Sequence, residues 1–289
     1  MHESVISAVL QDCDLPSDSS KFKWQSISGG CINECFKVSI EKEQYFLKIN
    51  EAMPLDFFEK EASGLDILQK NSGFNIPKVL KTGHTNSHGY LLLEFIDSAQ
   101  KKALFWEDFG IQLAELHSVT HSSFGFTEDN YIGELHQKNS ELDQWHKFFW
   151  TQRLQPQLKI AHENGRASSE LVNDFTQLNK KLRVLLPVEP PALLHGDLWS
   201  GNFMTDQYGQ ATIIDLAVYF GHREAELAFT HLFGGFDVRF YKSYESLKPL
   251  ESGFNERLDI YNLYPLLVHL NLFGVSYLQQ IKLILKRFI

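Results

Sequence analysis

The chain has 289 residues, 43% hydrophobic, 22% charged and 13% aromatic, the composition of a folded protein long enough for two cores and without any segment biased toward disorder. A net charge of -9 excludes partners that need a basic face, so neither duplex nucleic acid nor an anionic membrane is expected. Three cysteines, Cys13, Cys31 and Cys35, are odd in number and lack paired metal-ligand spacing, which excludes a disulfide framework and a structural zinc and fits a reducing, cytoplasmic setting.

In chain order, Val5, Ile6, Val9 and Leu10 space a short amphipathic helix over residues 4 to 10. Phe22 to Ile27 reads as a first strand, Gly29-Gly30 punctuates, and Ile32, Phe36, Val38 and Ile40 fall on one face of a second strand that turns near Glu41 to Glu43. Tyr45, Leu47 and Ile49 continue the meander. A helix is predicted from about Pro54 to about Lys70, stopped by Asn71-Ser72-Gly73. Val79 to Thr82 and Tyr90 to Phe95 read as two more strands. From Trp106 the periodicity turns helical, with Phe109, Leu113 and Leu116 on one face and Trp145, Phe148, Phe149 and Leu154 on another. A boundary near Ile96-Asp97 therefore divides a strand-rich lobe, residues 1–96, from a mainly helical one, residues 97–289. The tail from Leu263 to Ile289 supplies further amphipathic helix, ending in Lys286-Arg287. The start, Met1-His2-Glu3-Ser4, has no basic segment followed by an apolar run, and Leu91-Leu92-Leu93 is broken at Glu94, so neither export nor membrane spanning is expected.

The chemistry concentrates in His195-Gly196-Asp197-Leu198-Trp199-Ser200-Gly201-Asn202. Phosphoryl transfer needs a carboxylate to accept the proton of the attacking hydroxyl and oxygen ligands to hold magnesium against the nucleotide phosphates. Asp197 and Asn202, four residues intervening, stand where the catalytic loop of a kinase places its base and a metal ligand. Asp215 closes the apolar strand Ala211-Thr212-Ile213-Ile214 and suits a second metal ligand. Upstream, the order expected of a nucleotide site recurs as a glycine-bearing turn at Gly29-Gly30, a strand lysine at Lys48 and a helix glutamate. At about 100° per residue Glu61 falls roughly 60° from Phe58 on the inward stripe of the helix, whereas Glu59 falls outside it, so Glu61 is the expected partner of Lys48. Gly29-Gly30 reads equally as a phosphate cradle or a plain turn, and Cys31 beside it is a candidate redox-sensitive thiol. Backbone groups of Glu94 and Ile96, at the end of the strand before the boundary, are candidates for an adenine edge. Trp199 is open between stacking on a substrate ring and filling the core.

These motifs resemble the fructosamine kinases, also called ketosamine 3-kinases, one family within the protein-kinase-like superfold. The resemblance rests on Gly29-Gly30-Cys31-Ile32-Asn33, on Phe124-Gly125-Phe126 with Asp129-Asn130-Tyr131-Ile132-Gly133, and on Gln152-Arg153-Leu154 to Pro156-Gln157-Leu158. His195 through Asn202, Ala217-Val218-Tyr219, Gly221-His222-Arg223-Glu224-Ala225-Glu226-Leu227-Ala228 and Leu232-Phe233-Gly234-Gly235-Phe236 complete it. It implies an α+β, bilobal protein-kinase-like fold, with a small antiparallel-sheet lobe carrying one key helix and a larger mainly helical lobe. It also implies transfer of the ATP γ-phosphate, with Mg2+, to the 3-hydroxyl of a small-molecule or protein-bound ketosamine, which starts deglycation, by a monomer or weak homodimer. By that resemblance Asp197 is the base, Asn202 and Asp215 are the magnesium ligands, Lys48 contacts phosphate, and Trp199 is a wall of the sugar site, with His222 and Arg223 as further substrate candidates. Leu216 stands where the family usually has proline, and a slightly looser backbone is expected there. A kinase of the same superfold acting on an aminoglycoside or choline, and a catalytically inactive nucleotide-binding module, are the alternatives.

Overall fold

The computed structural model describes residues 2–27, 32–85 and 88–289. Gly29, Gly30 and Cys31, expected at the nucleotide turn, lie outside the described residues. The chain divides into two compact units, residues 1–103 with 204–215, and residues 104–203 with 216–289. The single boundary expected near residue 96 is thus displaced by a few residues, and a short segment returns later to the first unit.

The first unit opens with α1 (His2–Asp12) and then a five-stranded antiparallel sheet of β1 (Phe22–Ile27), β2 (Glu34–Ile40), β3 (Glu43–Asn50), β4 (Val79–His84) and β5 (Gly89–Glu94), ordered β1-β2-β3-β5-β4. Helix α2 (Phe57–Asn71) lies between β3 and β4 in sequence. Alternation decides which side of each strand is covered: Phe36, Val38 and Ile40 of β2 join Leu47 and Ile49 of β3, Tyr90 and Leu92 of β5, and Ile6, Val9 and Leu10 of α1 in one core. In β3 the intervening residue, Lys48, is buried too, because the opposite face of the sheet is also covered.

The second unit begins with α3 (Phe105–Leu116), followed by the hairpin β6 (Asn130–Ile132) and β7 (Leu135–Gln137). Next come α4 (Trp145–Phe148), a π-helical turn at Phe149–Leu154, α5 (Gln155–Glu163) and α6 (Ser169–Leu185), whose Ser168 cap accepts from the Leu171 N–H. Strand β8 (Ala192–Leu194) leads into the His195–Asn202 loop, and β11 (Tyr219–Gly221) pairs with β8; between them β9 (Phe203–Thr205) and β10 (Ala211–Ile213) form the hairpin whose turn carries Gly209, in the segment that returns to the first unit. Helices α7 (Arg223–His231), α8 (Val238–Leu247), α9 (Phe254–Phe273) and α10 (Leu278–Phe288) complete it. The tail expected as one amphipathic stretch is two helices broken at Gly274, whose φ of 99° suits glycine. Only α10 is amphipathic, since α9 is covered nearly all round. Among the described residues no helix is long and apolar enough to cross a membrane.

Candidate active site

In the first unit Lys48 is 5% exposed. Its Nζ donates to Glu61 Oε1 at 2.6 Å and also to Asp215 Oδ1. Glu61 projects from α2 on the stripe that carries Phe58 and Leu65, while Glu59 faces solvent, so the helical-wheel choice matches the geometry. Burial alone would lower the Lys48 pKa, but the facing Asp215 and Glu61 carboxylates outweigh it and hold the ammonium protonated. Asp215 follows β10 with a left-handed φ of 55°, which few non-glycine residues adopt. At the far end of β3, Asn50 Nδ2 donates to the Ile32 carbonyl and to Asn33 Oδ1, both at 3.0 Å, and so ties down the residues that lead into β2. Glu94 is exposed at the end of β5 with its N–H donated to the Lys78 carbonyl at 2.9 Å, and Ile96 is buried.

In the second unit Asn202 Nδ2 donates to the Asp197 carbonyl at 2.8 Å and to Asp197 Oδ2 at 2.9 Å, closing the loop on itself. The amide nitrogen is thus turned to the carboxylate, and an amide oxygen and a carboxylate are donors of the hard kind that magnesium takes. The Asp197 N–H donates to His195 Nδ1 at 3.2 Å, and the Ala217 N–H to the His195 carbonyl at 2.9 Å. Gly196 lies at φ 87°, and a Cβ there would collide with the Ala217 carbonyl oxygen, so this step of the loop admits only glycine. Gly201 similarly leaves room for the Trp199 indole. Leu216 is buried. On either side of it, Asp215 is held by Lys48 and the Ala217 N–H by the His195 carbonyl.

Glu226 was not among the sequence candidates, yet it organises this loop. Its Oε1 accepts the Gly196 N–H at 2.6 Å, and its Oε2 accepts the His195 N–H at 3.2 Å and His117 Nε2–H at 2.8 Å. His117 Nδ1 in turn faces the Tyr244 hydroxyl at 2.8 Å. Burial pushes the Glu226 carboxyl up, but His117 and the Gly196 amide more than offset it and keep it below the usual carboxylate range. A fully buried carboxylate thereby fixes the two residues ahead of Asp197. A small cavity of about 20 Å³, room for one water, lies between Gly196, Glu226, Tyr219 and Tyr264.

His222 and Arg223, the further substrate candidates, are corrected by their surroundings. His222 is fully buried, its Nδ1 accepting the Glu224 N–H to cap α7. Arg223 makes a bidentate pair with Glu189 at 2.6 and 2.7 Å and donates to the Lys248 and Pro249 carbonyls at 2.8 and 2.7 Å. Both groups hold α7 in place.

His222 also makes stability depend on pH. Burial lowers its pKa to about 4, with Glu189 and Glu224 opposing and Arg223 and Arg257 assisting. Because the folded pKa lies below the unfolded value, the contribution is complete above pH 6.5 and is lost as pH falls toward 4. At pH 5 the loss is about 2 kcal/mol. Urea unfolding of wild type and His222→Asn at pH 7 and pH 5 checks this. Asn can still cap the helix, so the variant is expected to lose distinctly less stability on acidification, and an unchanged pH slope would refute the assignment.

The family model described as fructosamine kinase matches residues 3–289. A protein of Enterococcus faecium named as a probable ketoamine kinase is 41% identical over 98% of this chain and 99% of its own. The chloroplastic protein-ribulosamine 3-kinase of Arabidopsis thaliana is 35% identical over 87% of this chain and 78% of its own. The crystal structure of a Haemophilus somnus protein named as a putative fructosamine-3-kinase superposes with a TM-score of 0.87 at 29% identity, covering 100% of this chain and 98% of that one.

Proposed function

The chain belongs to the fructosamine kinase family and has its protein-kinase-like fold, and on that footing we propose that it uses ATP and magnesium to phosphorylate the 3-hydroxyl of ketosamines, the adducts of sugars with amines. The observation that carries the proposal is the loop in which Asn202 grips Asp197 at both its carbonyl and its carboxylate. Asp197 accepts the proton of the attacking hydroxyl as the phosphoryl group is transferred. Lys48, charged and pinned by Glu61, offers its ammonium to the nucleotide phosphates. Asn202 and Asp215 are the proposed magnesium ligands, and the ion, when bound, supplies charge neutralisation at those phosphates. Trp199 borders the acceptor sugar. The phosphorylated adduct releases its amine, so the role that follows is deglycation.

A panel of fructosamine and ribulosamine adducts against choline and an aminoglycoside, read as ADP release, tests the proposal. Turnover on the ketosamines is expected. Turnover confined to choline or the aminoglycoside would replace the substrate class while keeping the kinase.

A further inference from the structure

Beside Trp199 the second unit carries a half-exposed shelf of aromatic rings that the phosphotransfer residues do not use. Phe233 lies edge-on to Trp199 with ring centres 5.8 Å apart and 4.7 Å from the His269 ring, and His269 meets Tyr277 at 5.2 Å and Phe273 at 5.3 Å. Phe233 is 37% and Phe273 50% exposed, so these rings contribute to the surface as well as to the core. Phe233 also holds φ 53° and ψ 43°, a left-handed backbone that strains a residue with a side chain and is found where surroundings or function demand it.

His269 gives the shelf a polar point of fixed sense. Its Nδ1 is 2.8 Å from the Pro265 carbonyl, and a carbonyl only accepts, so Nδ1 carries the proton and Nε2 of the neutral ring is an acceptor. Burial lowers the His269 pKa, which keeps the ring neutral at pH 7. A neutral acceptor on a ring that neighbours Phe233, Phe273 and Tyr277 suits a cation that also bears an N–H. A ketosamine has such a group: its protonated amine sits on C1, separated from the reacting 3-hydroxyl only by the carbons C1 to C3. With Asp197 beside that hydroxyl, the amine falls near residues that flank the loop, and Trp199 is two positions on.

Building on the kinase reading above, we infer that Trp199, Phe233, His269 and Tyr277 form the subsite for the protonated amine of the acceptor, with His269 Nε2 accepting its N–H and the rings facing its charge. The subsite selects cationic adducts over neutral ones of the same sugar.

Two acceptors separate the effects: an N-alkyl fructosamine, cationic at pH 7, and its N-acetyl counterpart, which is neutral. Phe233→Leu, Tyr277→Leu and His269→Leu are each expected to raise KM for the cationic adduct roughly threefold to thirtyfold. KM for the neutral adduct and for ATP should stay within about twofold. His269→Gln, which restores an acceptor, is expected to recover most of the loss, and Tyr277→Leu carries the test if Phe233→Leu does not fold. Equal effects on both adducts, or none on either, would overturn the subsite while leaving the kinase intact. Failure of the wild type to phosphorylate either adduct would remove the parent reading, and this one with it.

Discussion

Replacing Asp197 by Asn is expected to slow turnover on a ketosamine by about 100- to 10,000-fold while leaving ATP affinity within about twofold of wild type. The substitution is close to isosteric, and the amide oxygen can still accept from Asn202 Nδ2, which donates to Asp197 Oδ2 at 2.9 Å. The backbone around it is secured independently, since Glu226 holds the His195 and Gly196 N–H groups and Asn202 also donates to the Asp197 carbonyl. What the variant loses is basicity at one oxygen. Steady-state kinetics of ADP release with nucleotide binding measured in parallel separates the two quantities, and a rate near wild type would remove Asp197 from the role of base.

The second large effect is expected at Lys48. Lys48→Ala leaves Glu61, with a side chain 11% exposed, and Asp215, with one 44% exposed, without their shared cation. Removing one partner of a buried ion pair costs about 3–5 kcal/mol, and the partial exposure of Asp215 places this case toward the lower end. Catalysis should fall more steeply, by about 100- to 1,000-fold in kcat/KM for ATP, as for other losses of a group stabilising developing charge. Lys48→Arg keeps the charge, but its planar fork does not reproduce a point contact with two carboxylates, so intermediate activity is expected. Urea midpoints and ATP kinetics of the two variants check both effects. Unaltered stability and unaltered ATP kinetics in Lys48→Ala would contradict the site.

Both of these residues were legible in the sequence because their signals are local. The four-residue interval from Asp197 to Asn202 is set by one loop, and Glu61 stood out as a carboxylate on the inward stripe of an amphipathic helix. The five-stranded sheet was readable for a similar reason, its strands being long enough for period-two alternation to show. The three-residue strands of the second unit are too short for that period, and the π turn at Phe149–Leu154 is hidden in an aromatic run that reads as ordinary helix. Glu226 escaped for a different cause. Helix α7 is buried on nearly every side, with Arg223, Glu224 and residues 226 to 230 all covered, so no stripe distinguishes an inward carboxylate from an outward one. The same run drew attention to His222 and Arg223, whose neighbours in space, Glu189, Lys248 and Pro249, are remote in sequence. Long-range pairing of this kind leaves no periodic trace.

On the proposed mechanism Asp197 activates one particular hydroxyl of a ketosamine, that on C3. The most direct test is the position of the phosphate on the product of wild-type turnover, read from phosphorus–proton coupling in the NMR spectrum of a phosphorylated fructosamine. Coupling to the proton on C3, and slow release of the free amine from that product, are expected. Phosphate on any other oxygen, or ADP formed without a phosphorylated sugar, would contradict that mechanism.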